Sequence, residues 1–233
     1  MLPLKDDQPR YSTPYVNYFF IALNLAIYFF QATLDQRSYI QFLRQFGVVP
    51  AHLSGLLSGS DRYTAAQVFL PFVTSMFVHG GWLHVVGNMW ILYIFGDNVE
   101  DYVGHFKYIV FYLLSGLIAM LTQVATSPNS TFPCVGASGA IAGVLGAYFM
   151  LYPRARVLTW LFFIVVVYIP AWIWLGFWFV MQFFSGEEAL SMARTGHDSG
   201  GVAFWAHVGG FIAGVVMIKL FRERPRRYPY AYS

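Results

Sequence analysis

The sequence predicts an all-α polytopic membrane protein: six transmembrane helices in a bundle, with a first loop lying in the membrane interface. Three observations carry this. Of the 233 residues, 58% are hydrophobic and only 11% charged, too little polar surface to cover a soluble body. Several windows of about 20 residues are nearly free of charge, the length a helix needs to cross a hydrocarbon layer of about 30 Å. The basic residues are also distributed unevenly between the two sides that six spans create.

Taken in order, the predicted spans are 15–34, 81–95 (its outer end drawn from 72–78), 108–125, 135–152, 157–184 and 202–221. Residues 1–14 form a tail without a removable signal peptide, 15–221 the helical domain and 222–233 a second, basic tail. Between the first two spans, Phe42, Leu43, Phe46 and Val49 alternate with Arg37 and Arg44, a pattern that suits short amphipathic helices on the interface. The stretch 96–101 closes the second span, where Glu100 is expected to cap or brace the helix end. Pro170 implies a kink or tilt in the long fifth span, and its tryptophans (Trp160, Trp172, Trp174 and Trp178) read as lipid-facing bulk. A Gly-bearing polar loop is expected over 185–201, with His197 and Asp198 as solvated loop residues. The single Cys134 excludes an intramolecular disulfide and reads as a packing residue.

With both termini inside, Lys5, Arg10, Lys107, Arg154, Arg156, Lys219 and the four arginines after it are cytoplasmic. Only Arg37, Arg44, Arg62 and Arg194 face out, so the ten-to-four split favours this orientation. Spans two, four and six then all run inward. Their first turns carry His84 and Asn88, Ser138, and His207, which therefore share one depth near the outer face. On span four, Ser138, Ala142 and Gly146 recur at i, i+4 and i+8. On span six, His207, Gly210 and Gly214 recur at i, i+3 and i+7. Two stripes of small residues let membrane helices approach closely, which would bring hydroxyl and imidazole together. Taken alone, each stripe is better explained by plain helix packing.

A serine hydroxyl becomes a nucleophile when a base takes its proton, and histidine is the usual base near neutral pH. Attack on a carbonyl also needs donors for the oxyanion. His84 and Asn88, one turn apart, and the Ser138 backbone N–H at a helix start are candidates. No acidic residue lies at this level, so the pattern is a dyad rather than a triad. A nucleophile elbow is excluded because Ala140 stands where Gly-x-Ser-x-Gly needs its last glycine. A metalloprotease is disfavoured because His-Glu-x-x-His is missing, and no metal, cofactor or nucleic-acid partner is expected.

The stretches His79-x4-His84-x3-Asn88, Gly96-x3-Glu100, Gly136-Ala137-Ser138-Gly139 and Ala206-His207-x2-Gly210-x3-Gly214, in this order, resemble the rhomboid intramembrane serine proteases. The resemblance implies a rhomboid-like six-helix bundle with Ser138 as nucleophile and His207 as general base. It implies that His84 and Asn88 contribute to the oxyanion site, with Gly136, Gly139, Ala142 and Gly210 shaping it. The expected activity is cleavage near the outer end of substrate transmembrane segments, in a multi-pass protein of the cell membrane. Span five would be a lateral gate. Two positions depart from some members: Leu70-Pro71 replaces Trp-Arg in the first loop, and Ala142 replaces an aromatic that would stack on His207. The alternatives are a noncatalytic rhomboid-like protein that binds membrane helices and a small transporter. The presence of both Ser138 and His207 counts against the first, and the lack of a polar track to the cytoplasmic side counts against the second.

Overall fold

The computed structural model describes residues 1–162, 164–194 and 203–221. Strand β1 (Leu2–Asp6) precedes α1 (Tyr15–Gln31). Three short helices follow, α2 (Gln36–Phe46), α3 (Pro50–Leu57) and α4 (Ala65–Phe69), then α5 (Pro71–Thr74) and a 3-10 turn (Ser75–Phe77). The remainder is α6 (Trp82–Val103), α7 (His105–Thr126), α8 (Ser138–Leu151), β2 (Arg156–Leu161), β3 (Val165–Pro170), α9 (Ala171–Arg194) and α10 (Phe204–Met217).

The first loop folds into short helices, and local chemistry sets their starts. Asp35 caps α2 by accepting from the Arg37 and Ser38 amides. Thr64 and Gln67 form a capping box on α4. Pro50 and Pro71 open α3 and α5, at positions where a missing N–H costs nothing. Among the described residues, α7 is long and apolar enough to cross a bilayer by itself. The segments 65–77 and 82–103 pass together but are bent by 73°, while α1, α8 and α10 are shorter apolar helices.

Helices α1, α6 and α7 are tied together by buried polar groups. Glu100, fully buried on α6, accepts from the Val16 and Asn17 amides at 3.1 and 2.7 Å and so caps α1, while its own helix runs on to Val103. Asn17 donates to the Leu92 carbonyl and accepts from the Tyr108 hydroxyl. This meeting needs Gly96, where a Cβ would lie 2.2 Å from Asn17 Oδ1.

The fold departs from the all-helical expectation in one place. The apolar run read as the start of span five is instead a hairpin, β2–β3, and β1 adds to it to give an antiparallel sheet ordered β1-β2-β3. Leu2 faces Trp160 and Val157 faces Ile169 in this register. The segment is rich in Val, Ile and Thr, which favour a pleated surface, and Pro170 ends the strand instead of kinking a helix. The helix read as span five therefore begins at Ala171. It also continues through 185–194, where a loop was expected; the rest of that predicted loop, His197 and Asp198 included, and the tail 222–233 lie outside the described residues. The first residues of the chain are anchored: Trp90 Nε1 donates to the Pro3 carbonyl at 2.6 Å, and Arg156 pairs with Asp7 at 2.7 Å.

Candidate active site

The starts of α6, α8 and α10 converge at the end of the bundle opposite the sheet. The chain enters α8 through a short bridge between Val48 and Cys134 and a hydrogen bond from the Gly136 amide to the Ser75 carbonyl at 2.8 Å. Gly136 has φ +125°, open to glycine and strained for other residues. A Cβ there would come within 2.7 Å of the His84 ring. One residue further on, Ala137 starts the turn and Ser138 is the first residue of α8.

Helices α8 and α10 pack with almost no side chain between them. A Cβ on Gly210 would lie 2.1 Å from the Gly139 carbonyl oxygen and 3.3 Å from Ala142 Cβ. One on Gly146 would lie 2.1 Å from the Phe211 carbonyl oxygen. The predicted small-residue stripes thus face each other, and Ala142 lies at the α10 crossing. Where lipid supplies no hydrophobic drive, such close backbone packing holds helices together. Its result at the heads of the two helices is direct: Ser138 Oγ lies 2.8 Å from His207 Nε2, both side chains half-buried.

His207 has a second partner that the sequence reading did not name. Its Nδ1 lies 2.7 Å from Gln182 Oε1 on α9. With the amide oxygen as acceptor, Nδ1 carries the proton and Nε2 turns its lone pair to the serine hydroxyl. The Trp178 ring is 5.9 Å from the imidazole at 37°, and Phe204 meets it edge-on at 6.5 Å. These two rings, and not the residue at 142, are the aromatics beside the imidazole. Trp178 is therefore not lipid-facing bulk; Trp174 is buried against Phe95, and Trp160 lies in a strand. The sequence signal for Gln182 is that it is the one polar side chain, indole N–H groups aside, in the stretch 171–184.

His84 and Asn88 lie on the face of α6 turned to this pair. The His84 ring fills the space over Gly136, and Asn88 Nδ2 is 3.7 Å from where a Gly136 Cβ would be. Gly80 N–H faces His84 Nδ1 at 3.5 Å, which leaves the proton on Nε2. Asn88 Nδ2 also donates to His79 Nε2 at 3.0 Å, and His79 is fully buried. His79 is in turn held by Gln31, which bonds both its backbone carbonyl and its amide. His79 and Gln31 thus steady Asn88 from behind. His105 sits at the far end of α6 and α7, paired with Glu100, and His52 stacks on Tyr63 in the first loop.

This fold and site define a helical membrane protein with a serine and a histidine facing each other at the heads of two packed helices. The Rhomboid domain model matches residues 66–224, and the chain belongs to the rhomboid family, whose members are membrane proteins. Over 176 residues it is 30% identical to rhomboid-like protein 11, chloroplastic, of Arabidopsis thaliana, covering 70% of this chain and 56% of that one. It is 29% identical over 154 residues to presenilin-associated rhomboid-like protein A, mitochondrial, of Danio rerio, covering 63% and 36%. The human presenilin-associated rhomboid-like protein, mitochondrial, is 26% identical over 155 residues, with 62% and 36% covered. The chain spans from about half down to about a third of the length of these relatives.

Proposed function

We propose that this protein is an intramembrane serine endopeptidase that cuts substrate transmembrane segments near one membrane face. The observation that carries the reading is the 2.8 Å contact between Ser138 Oγ and His207 Nε2. In the proposed reaction, Ser138 Oγ attacks the peptide carbonyl carbon as its proton passes to His207 Nε2. The oxyanion is met by His84 Nε2–H, Asn88 Nδ2–H and the Ser138 backbone N–H, which the helix start leaves without an intrahelical acceptor. The C–N bond then breaks and the amine leaves with the proton held by His207. Water repeats the cycle on the acyl-serine to release the acid.

Helix lengths support a submerged site. At 14 residues each, α8 and α10 span about 21 Å, short of the roughly 30 Å hydrocarbon layer, so ends that start at the far surface stop below the near one. A substrate helix reaches such a site from the bilayer, and its peptide bonds are accessible only where it unwinds. Gly or Pro near the cut lowers that cost. Six spans with both termini inside, in accord with the charge asymmetry, make the active end external. Single cysteines at positions 129 and 154 in a Cys134→Ala background are then labelled from opposite faces of sealed vesicles; labelling from the same face rules out this threading.

The decisive experiment is labelling by a serine-directed fluorophosphonate in detergent, with cleavage of a transmembrane reporter measured alongside. Wild type is labelled and cuts; Ser138→Ala and His207→Ala do neither. Cleavage that survives Ser138→Ala sinks the reading. An unlabelled, folded wild type that still binds the reporter points to the noncatalytic helix binder, and solute flux surviving Ser138→Ala points to a transporter.

A further inference from the structure

On the face of α9 turned to α10, positions 178, 182 and 186 follow at four-residue intervals. Trp178 lies against the His207 ring, and the Gly186 carbonyl accepts from Trp205 Nε1 at 3.2 Å. Gln182 is the one polar side chain in the stretch 171–184 apart from the indole N–H groups of its tryptophans. An amide on an apolar helix costs free energy unless it is paired. Here its pairing is with the imidazole nitrogen on the side away from the serine.

We propose that Gln182 is a positioning residue that completes a Ser138–His207–Gln182 relay, holding the base in the tautomer and orientation that activate the serine. This rests on the protease reading. Two of the three groups come from helices locked together by their glycines, α8 and α10. The third comes from α9, so the rotamer of the base is set by a helix other than those that carry the reacting pair. Without the Gln182 oxygen, Nδ1 has lost its acceptor, the imidazole is free to turn or to protonate on Nε2, and the serine hydroxyl loses its base. The orientation supplied in some relatives by an aromatic at the position of Ala142 is here divided between Trp178 and Gln182.

The test separates acceptor from shape. Gln182→Met keeps length and volume and removes the acceptor, with Gln182→Leu as a second apolar variant. Gln182→Glu keeps an acceptor oxygen. Each is assayed for reporter kcat and KM, for the rate of inactivation by the fluorophosphonate, and for melting temperature. In Gln182→Met, kcat and the inactivation rate are expected to fall at least about tenfold with KM within about twofold of wild type. Its melting temperature stays within about 3 °C. Gln182→Glu recovers most of kcat. A Met variant with wild-type kcat overturns the role of Gln182. So does a parallel loss in Met, Leu and Glu variants that tracks a lowered melting temperature, the signature of packing alone. If wild type itself neither reacts with the probe nor cuts, the protease reading fails and takes the inference with it; a reactive wild type beside an unimpaired Met variant removes only the inference.

Discussion

Gly214 of α10 lies so close to Gly143 of α8 that a Cβ built on it would be 1.9 Å from the Gly143 carbonyl oxygen. The obstacle is backbone, so a side chain at 214 must move a whole helix. Gly214→Val is expected to destabilise the protein by about 2 kcal/mol or more, and to slow serine labelling by drawing His207 away from Ser138. Gly87 on α6, with open space around its Cβ position, serves as control: Gly87→Ala leaves stability unchanged or raises it by up to about 1 kcal/mol. Thermal unfolding in detergent reads both, and equal effects at the two positions contradict the packing account.

Gly136 combines a positive φ with a contact on the His84 ring. Gly136→Ala is expected to lower kcat by roughly a hundredfold, since displacing His84 removes one proposed oxyanion donor. The stability loss should stay near 1–3 kcal/mol, the scale of local backbone strain. A variant with kcat near that of wild type shows that His84 is not needed where it lies.

Glu100 carries two backbone amides of α1 on one buried carboxylate. Glu100→Ala leaves both donors unpaired and is expected to cost about 2–5 kcal/mol. Glu100→Gln retains an acceptor oxygen and costs less. Equal melting temperatures for the two variants would show that the cap contributes little.

Asp6 on β1 lies outside the helices. Burial raises its carboxyl to about 6, against the lowering effect of the Tyr148 hydroxyl bonded to it and with a further push upward from Asp97. Its folded value is above the unfolded one, so the folded state binds more protons between about pH 4 and 6. Its contribution to stability is therefore full below about pH 4 and lost as pH rises through 6, an effect of up to about 2–3 kcal/mol. Asp6→Asn should flatten the melting temperature across this window, measured at fixed ionic strength. An unchanged slope removes Asp6 as the source.

Much of the site was legible because its signals are local. Ser138 with Ala142 and Gly146, and His207 with Gly210 and Gly214, are periodicities within single helices, and a small residue has the same steric meaning wherever its partner lies. Glu100 was legible as a brace because a carboxylate at the end of an apolar helix needs donors. Gln182 was not, since its value comes from the rotation of α9 against α10, which the apolar sequence around it leaves open. The run 157–170 was misread for a related reason: hydropathy is equally high for an apolar hairpin and a membrane helix, and the strand that pairs with the outer side of β2, Leu2–Asp6, lies some 150 residues earlier.

By itself, then, the sequence determined the helical membrane class, the pairing of small-residue faces and the residues that gather at one end of the bundle, because apolar length and side-chain size act through short-range physics. Only the tertiary structure decided that the N-terminal segment closes a sheet with β2, that Glu100 caps a helix other than its own, and that His207 is held from a third helix. Each of these joins groups distant in the chain, and a hydrogen bond has a partner only once the backbone has brought donor and acceptor to within about 3 Å.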